Sequence, residues 1–412
     1  MAPQLLIRPG PNDHLVVEDL LAPGGSAIFR GSRPLVDQLV LDATLAVHRA
    51  SLVETANRAG IPVIIDPMTS LCQVEVSGDD PWVALPYASE AELAPGDLTA
   101  ESAREDLVAR VVRFEVDYGA TAIVPPYFYG RSPEDPWFAL TVDLIERTAA
   151  HMARSGVRLP IVPVLCAQLQ HFGGSEAWLG GVDRFAAVSA SAAAPRVGLC
   201  LTPSGAAGDT YGKVQRLFAT ALRLRGHGIP TIAWDQGVYG PALVAAGLDG
   251  YLTGIGVREQ SNVTSLLRNR RPSGAPRADI RIPGRVFLSP FGRSYKFAIA
   301  DPLLRDRSML PKVVCDDEYC CPDGARSMVG EKRRHHAVRA RARYLAELSD
   351  MPHLDWRLYR VARDAREAVT LTIQANQVLT AAHCPHSVGH RAFEALAEVA
   401  EHLLEERLRR GA

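Results

Sequence analysis

Short, almost continuously apolar runs recur along the chain, each followed by a loop and a helical pattern. They are Ser26–Arg30, Ile61–Asp66, Thr121–Pro125, Pro160–Leu165, Val197–Leu201, Pro230–Asp235, Gly250–Gly254 and Arg285–Ser289. Runs apolar on both faces suit parallel strands buried between two layers. Apolar residues at helical spacing fill the gaps, over Leu35–Arg58, Ala103–Tyr118 and Tyr211–Gly226. Gly60-Ile61-Pro62 and Gly228-Ile229-Pro230 read as helix stops feeding the next strand. Strand–helix alternation predicts a parallel sheet, and eight units predict an α/β fold closed as a (β/α)₈ TIM barrel; a doubly wound open sheet is the alternative. The barrel is expected over 1–300. A zinc-binding segment and C-terminal helices completing the barrel are expected over 301–412, with helix breaks at Met351-Pro352 and Cys384-Pro385. Arg268–Pro283, rich in Arg, Pro, Ser and Gly, reads as a long loop.

Composition narrows the class. The 412 residues are 47% hydrophobic, enough for a large core, and the formal charge of −1 excludes a polycation that coats nucleic acid. No apolar stretch reaches membrane-spanning length and no signal peptide is apparent. Seven cysteines in a long chain argue against a disulfide framework, so a cytoplasmic setting is expected.

Three of those cysteines, Cys315, Cys320 and Cys321, fall among Asp, Glu, Pro and Gly, and His335 and His336 follow. Three thiolates and a histidine form a common tetrahedral zinc set. On a helix from Arg334, His335 shares a face with Val338, Ala342 and Leu345, which favours it over His336 as the fourth ligand. A redox pair and an iron–sulfur cluster are alternatives, although C-x₄-C-C suits neither well. His383-Cys384-Pro385-His386 stays unassigned.

Barrel chemistry sits at the C-terminal ends of the strands. Successive strand ends offer Arg30 and Arg33; Asp66 and Thr69; Tyr127, Phe128 and Tyr129; Gln168, Gln170 and His171; Thr202, Ser204 and Asp209; Asp235 and Gln236; Arg258 and Glu259; and Arg293, Tyr295 and Lys296. Asp66 and Asp235 stand directly at strand ends, placed for one to act as nucleophile or base and the other as acid. Capping of the next helix is the competing role. Tyr127, Phe128, Gln168, Gln236 and Arg258 are candidate substrate contacts. Gly205–Asp209 is Gly-rich but fits no phosphate fingerprint.

From Ile255 to Leu345 basic residues exceed acidic ones by about ten. Lys332, Arg333 and Arg334 lead a basic stripe beside the cysteines, a candidate contact for phosphates of tRNA or DNA, with a solvated helix face as the alternative.

The order Cys315, Cys320, Cys321 and then His335 or His336 on a helix resembles the zinc subdomain of the tRNA-guanine transglycosylase superfamily. Tyr251–Gly256 is similar to one of its strand segments, and Asp66 with Gln73 is loosely similar to its Asp-Ser-Gly-Gly-Phe-Gln segment. The resemblance implies a zinc-containing glycosyltransferase that exchanges a guanine or 7-deazaguanine base in nucleic acid. Asp66 and Asp235 would then serve as its acids and Tyr127 or Phe128 would stack the base. The pattern departs from the family in three places. The cysteine spacing is C-x₄-C-C where the family has C-x-C-x₂-C. The Gly-Gly-Leu-Ala-Val-Gly-Glu segment is missing. The run Val286–Phe291, taken as the eighth strand, carries no acid for the family's nucleophile. A barrel lyase or hydrolase acting on a small molecule with a structural zinc, and a non-catalytic nucleic-acid-binding relative, are the other two readings. A homodimer is one expected assembly, and the sequence leaves the oligomeric state open.

Overall fold

The computed structural model describes residues 2–22, 28–29, 33–171, 176–205, 208–256, 258–270 and 284–411. Eleven strands occur among them. Seven form one parallel sheet in the order β5-β4-β1-β9-β8-β7-β6. These are β1 (Gln4–Arg8), β4 (Gln38–Asp42), β5 (Val63–Asp66), β6 (Val164–Gln168), β7 (Val197–Thr202), β8 (Thr231–Trp234) and β9 (Gly250–Gly254). The extended segment 121–124 joins the two edges, with parallel bridges from Ile64 to Ala122 and from Ile123 to Ile161. Its closing hydrogen bonds run from Thr121 N to Val63 O (2.7 Å), Ile123 N to Pro160 O (2.8 Å) and Val162 N to Ile123 O (2.8 Å). The chain is therefore a closed eight-stranded α/β barrel, with helices outside it and a Cys₃His cluster beyond it.

Strand alternation builds two cores. Leu6, Val40, Ile64, Val164, Cys166, Cys200, Ile232, Trp234 and Leu252 point inward and fill the barrel. Leu5, Ile7, Leu39, Leu41, Ile65, Leu165, Leu199 and Tyr251 point outward against the helices. Both sets must be apolar, which is why these strands read as continuous runs. Gly198 on β7 is required by the filling: a Cβ there would lie 2.7 Å from the Trp234 ring.

Two strand assignments change. The barrel begins with β1, and β4 lies inside the stretch expected as the helix Leu35–Arg58. Leu35, Val36, Leu39, Val40 and Ala43 suit a helical stripe as well as a buried strand, and pairing on both sides, with β1 and β5, decides for the strand. Helices follow only at Ala43–His48 and Ala50–Arg58. From the run Ser26–Arg30 only Ile28–Phe29 is described, as β2, paired antiparallel with β3 (Arg33–Pro34) outside the barrel; Arg30 lies outside the described residues. Arg285–Leu288 is β10, which pairs antiparallel with β11 (Arg293–Lys296) and is not a barrel strand. The eighth barrel strand is β9. The cysteine cluster thus follows a hairpin and not the barrel's last strand.

Of the other helices, Tyr211–Gly226 matches its expected span, and Glu101–Asp117 covers most of Ala103–Tyr118. Gly60 and Gly228 take the left-handed backbone (φ 69° and 76°) that lets glycine close a helix. After the hairpin come the helices Arg333–Asp350, Leu354–Ala381 and Arg391–Gly411, which separate at the two expected breaks. The loop expected over Arg268–Pro283 is described only to Arg270, where it ends the helix Val263–Arg270.

Candidate functional site

The C-terminal mouth of the barrel is built around Arg8, the last residue of β1. Inward alternation from Leu6 places its side chain in the top layer of the barrel. Its Nη1 donates to Asp42 Oδ1 at 2.6 Å and its Nη2 to Asp66 Oδ2 at 2.8 Å. The same Nη2 lies 3.1 Å from Asp235 Oδ2. Asp42 ends β4 and Asp66 ends β5, and the two are register partners. Asp235 follows β8 in a left-handed backbone conformation (φ 53°), which turns its carboxylate back over the mouth. Arg258, also left-handed (φ 58°), closes an ion pair with the second oxygen of Asp42. Such non-glycine conformations are strained and persist only where the surroundings enforce them.

Around this centre Tyr127 Oη donates to Asp66 Oδ1 at 2.8 Å, and the Met68 amide reaches the same oxygen at 3.0 Å. The Arg8 guanidinium lies 5.7 Å from the Trp234 ring centroid. Arg8, Asp42, Asp66 and Asp235 are all buried. Three carboxylates against two guanidiniums leave one negative charge in excess, and in a dry site that excess is expensive. The proton that relieves it belongs to Asp235. Burial pushes its carboxyl up to about 7 and the nearby Asp66 adds to this, while Arg8 opposes the rise. Arg258 is pushed down to about 10 by burial and by its neighbours Arg8 and Arg270, and so remains charged at neutral pH.

Several buried polar atoms at the mouth have no hydrogen-bond partner: Arg8 Nε, Asp235 Oδ1, Trp234 Nε1, Gln236 Oε1 and Ser204 Oγ. Native interiors leave few such atoms. The helix Val263–Arg270 covers this region. Val263 joins the inner core, Thr264 Oγ1 lies 3.1 Å from Tyr129 Oη, and Arg270 pairs with Asp80.

The remaining sequence candidates divide. Tyr127 and Arg258 reach the mouth. Gln236 is fully buried, and its Nε2 donates to Leu199 O (3.2 Å) and Trp234 O (2.9 Å). Gln168 ends β6 opposite Thr202 and is half-buried. Phe128 is not at the mouth: it faces outward and packs on Trp137 with ring centroids 4.5 Å apart. Thr69 bonds the backbone of Tyr127, and Glu259 turns away from the mouth to Ser294 and Arg341. Of the segment Gly205–Asp209, Ala206 and Ala207 lie outside the described residues. Arg8, Asp42 and Trp234 were missed. Leu5-Leu6-Ile7-Arg8 and Leu39-Val40-Leu41-Asp42 carry the same signature as Val63-Ile64-Ile65-Asp66, an apolar run ending in a charge, and that signal could have found the first two.

The second cluster is a candidate metal centre. Cys315, Cys320, Cys321 and His336 are buried, and their ligand atoms lie within 4.8 Å of one another. Cys315 Sγ is 3.8 Å from Cys320 Sγ, and Cys320 Sγ is 3.8 Å from His336 Nδ1. A tetrahedral ion about 2.3 Å from each sulfur requires an S···S edge of about 3.8 Å, so the residues fit. His336 Nε2 lies 2.9 Å from Phe287 O. A carbonyl only accepts, so Nε2 carries the proton and Nδ1 keeps its lone pair for a metal. Hydrogen bonds from the Cys320 and Cys321 thiols push the Cys315 thiol down, and those two thiols are pushed up in turn. The cysteine loop and the helix Arg333–Asp350 supply the ligand atoms, and β10 orients His336 through the Phe287 carbonyl.

His335 is not a ligand. Its Nε2 lies 2.6 Å from Asp19 Oδ2 on the first helix, His14–Leu21. Arg333–Asp350 is buried on several faces at once, including His336, Ala337, Val338, Arg339 and Ala340, so the face that His335 shares with Val338, Ala342 and Leu345 does not select the ligand. The basic stripe is largely occupied nearby. Arg334 lies 3.1 Å from Asp13, Lys332 3.7 Å from Asp19, and Arg333 Nη1 donates to Gly330 O at 3.3 Å. Arg339 pairs with Asp317 at 3.1 Å inside the cysteine loop.

No family model matches the chain, and no curated protein does. Among solved structures, it is similar to a putative phosphonomutase from Burkholderia cenocepacia J2315, at 14% identity over 61% of this chain and 86% of that one (TM-score 0.34). It is also similar to the carboxyl transferase domain of Rhizobium etli pyruvate carboxylase with 3-bromopyruvate. The identity there is 13%, over 99% of this chain and 61% of that one (TM-score 0.39). A third is the 3-dehydroquinate dehydratase from Aquifex aeolicus VF5, at 11% identity over 65% of this chain and 97% of that one (TM-score 0.33). Likenesses this loose say nothing of activity; the barrel itself rests on its strand pairing. Among the described residues no helix is long and apolar enough to cross a membrane.

Proposed function

We propose that the chain is a barrel enzyme acting on a small polar molecule at the mouth, with a structural zinc in the Cys₃His cluster. One observation carries this reading: a buried guanidinium, Arg8, holds three carboxylates from three strand ends, and unpaired polar atoms surround it. Asp235, with a carboxyl near 7 and a free Oδ1, both takes and gives a proton at neutral pH. Asp66 has both oxygens engaged and fixes Tyr127 and Arg8 in place. Zinc bound by Cys315, Cys320, Cys321 and His336 would have all four positions filled by protein, as structural zinc sites do, and would lock the cysteine loop to the helix Arg333–Asp350.

A second reading, base exchange on a guanine of tRNA or DNA, draws on the meeting of Asp66, Asp235 and Tyr127 at one centre. Two carboxylates and an aromatic are what that reaction needs. One experiment separates the two. The zinc-loaded protein is screened by thermal shift against a panel of polar metabolites, and titrated with tRNA and duplex DNA at two salt concentrations. A saturable metabolite shift that is lost in Asp235→Asn, without salt-dependent polymer binding, is expected. Tight salt-dependent binding of either polymer, labelled-guanine incorporation and no metabolite shift would replace the first reading with the second.

A further inference from the structure

A cavity of about 350 Å³ lies on the outer side of the barrel between β9, the β10–β11 hairpin and the three C-terminal helices. It shares no side chain with the Arg8 centre. Phe291, Phe393 and Leu396 give it an apolar wall. At its polar end stand Tyr251, Glu259 and Arg341. Arg341 is paired with Glu259 and lies over the Phe287 ring, 4.2 Å from the centroid to Cζ. Arg360, on the far wall, is paired with Asp364 at 2.6 Å. Arg343 pairs with Asp316 and Arg363 shares Asp364, so all four arginines that line the cavity are already matched, and a charged ligand would have to break a pair to enter.

Tyr251 is different. It is 1% exposed, and its hydroxyl has no hydrogen-bond partner. Its ring is clamped against Gly240, where an added Cβ would come within 2.8 Å of it. The hydroxyl is therefore buried and without a protein partner, and Tyr251 forms part of the wall of a cavity large enough for a bicyclic molecule.

We propose that this cavity is a binding site for an uncharged, mainly apolar ring compound carrying one oxygen that hydrogen-bonds to Tyr251. The same site is coupled to the mouth through the backbone. Gly237 and Val238, just after Asp235, line the cavity, as does Glu259, just after Arg258. The two segments are tied to each other by hydrogen bonds from Gly237 N to Glu259 O (3.0 Å) and from Ser261 N to Asp235 O (2.7 Å). One segment presents Asp235 to the Arg8 centre and Gly237, two residues on, to the cavity; the other presents Arg258 to the centre and Glu259 to the cavity. A ligand in the cavity stiffens both.

The test uses 1-naphthol with the full-length, zinc-loaded chain. Its emission shifts from the naphtholate to the neutral form when it is shielded from water, which reports entry into a dry cavity. Saturable binding of one naphthol per chain is expected, with slower amide hydrogen exchange over 235–238 and 258–261. Tyr251→Phe removes only the hydroxyl, and weakens binding about tenfold while the melting temperature is kept or raised. Ala365→Trp, from the helix Leu354–Ala381, fills the cavity and abolishes binding. Lack of saturable binding overturns the proposal. So does affinity unchanged in Tyr251→Phe. Binding lost instead in Trp356→Ser would place naphthol on the exposed patch of Trp356, Tyr359 and Leu408, and would also overturn it.

Discussion

Asp235→Asn should make the protein more stable, and the gain should grow with pH. The carboxyl of Asp235 moves from 3.8 to about 7 on folding, chiefly because burial disfavours its charge. For an acid raised in this way the folded state holds the proton more tightly than the unfolded state. Its contribution to stability is fully present below pH 3.8, falls as pH rises, and is gone above about 7. About three units at about 1.4 kcal/mol each give a cost of roughly 4 kcal/mol for ionised Asp235 at alkaline pH. Asparagine resembles the protonated carboxyl in shape and carries no charge, so it escapes this cost. At pH 5.5 part of the cost is already present, roughly 2 kcal/mol, because the unfolded chain is ionised there. The stability gap between variant and wild type should therefore widen by about 2 kcal/mol from pH 5.5 to pH 8.5. Urea denaturation of both proteins at the two pH values, with zinc loaded, measures it. Parallel stability curves, or a variant less stable at both pH values, would refute the assignment of the site's labile proton to Asp235. Gained stability with lost turnover is the expected signature of a group kept for function.

The other expectations concern the partners of this group and the metal centre. Arg8→Met leaves three buried carboxylates without their shared cation and should cost about 3–5 kcal/mol in denaturant unfolding, together with loss of ligand binding at the mouth. Tyr127→Phe should cost about 1–3 kcal/mol, since Asp66 Oδ1 loses a buried donor, and should weaken that binding; Phe128→Leu should leave the binding intact because its ring faces Trp137. Metal analysis should find one zinc per chain in the wild type and in His335→Ala, and none in His336→Ala or Cys320→Ser. Equal loss in both histidine variants would contradict the ligand set. Reversing Arg334 to Glu should lower the melting temperature by placing an acid beside buried Asp13, and Asp13→Lys in the same chain should restore it.

The barrel class was legible in the chain, because a strand buried on both faces must be apolar throughout, and most of the strands declare themselves in that way. The sequence located the helix breaks near the C-terminus through proline, and it marked the cysteine loop, because thiols among acids and glycines have no packing reason to be there. It also picked out Asp66 and Asp235 as acids at strand ends. Tertiary structure alone decided which runs close the barrel. β1 and β4 each show an apolar run ending in a charge, but β4 suits a helical stripe equally well until β1 and β5 flank it, and β10 is apolar because it packs against the helix Arg333–Asp350 and not because it is a barrel strand. The choice of His336 over His335 was also tertiary, since a helix buried on several faces has no single inward side. The pairing of the two acids through Arg8 was tertiary for the same kind of reason. Arg8, Asp66 and Asp235 are far apart in the chain, and only closure of the sheet between β1 and β9 brings their strand ends around one mouth.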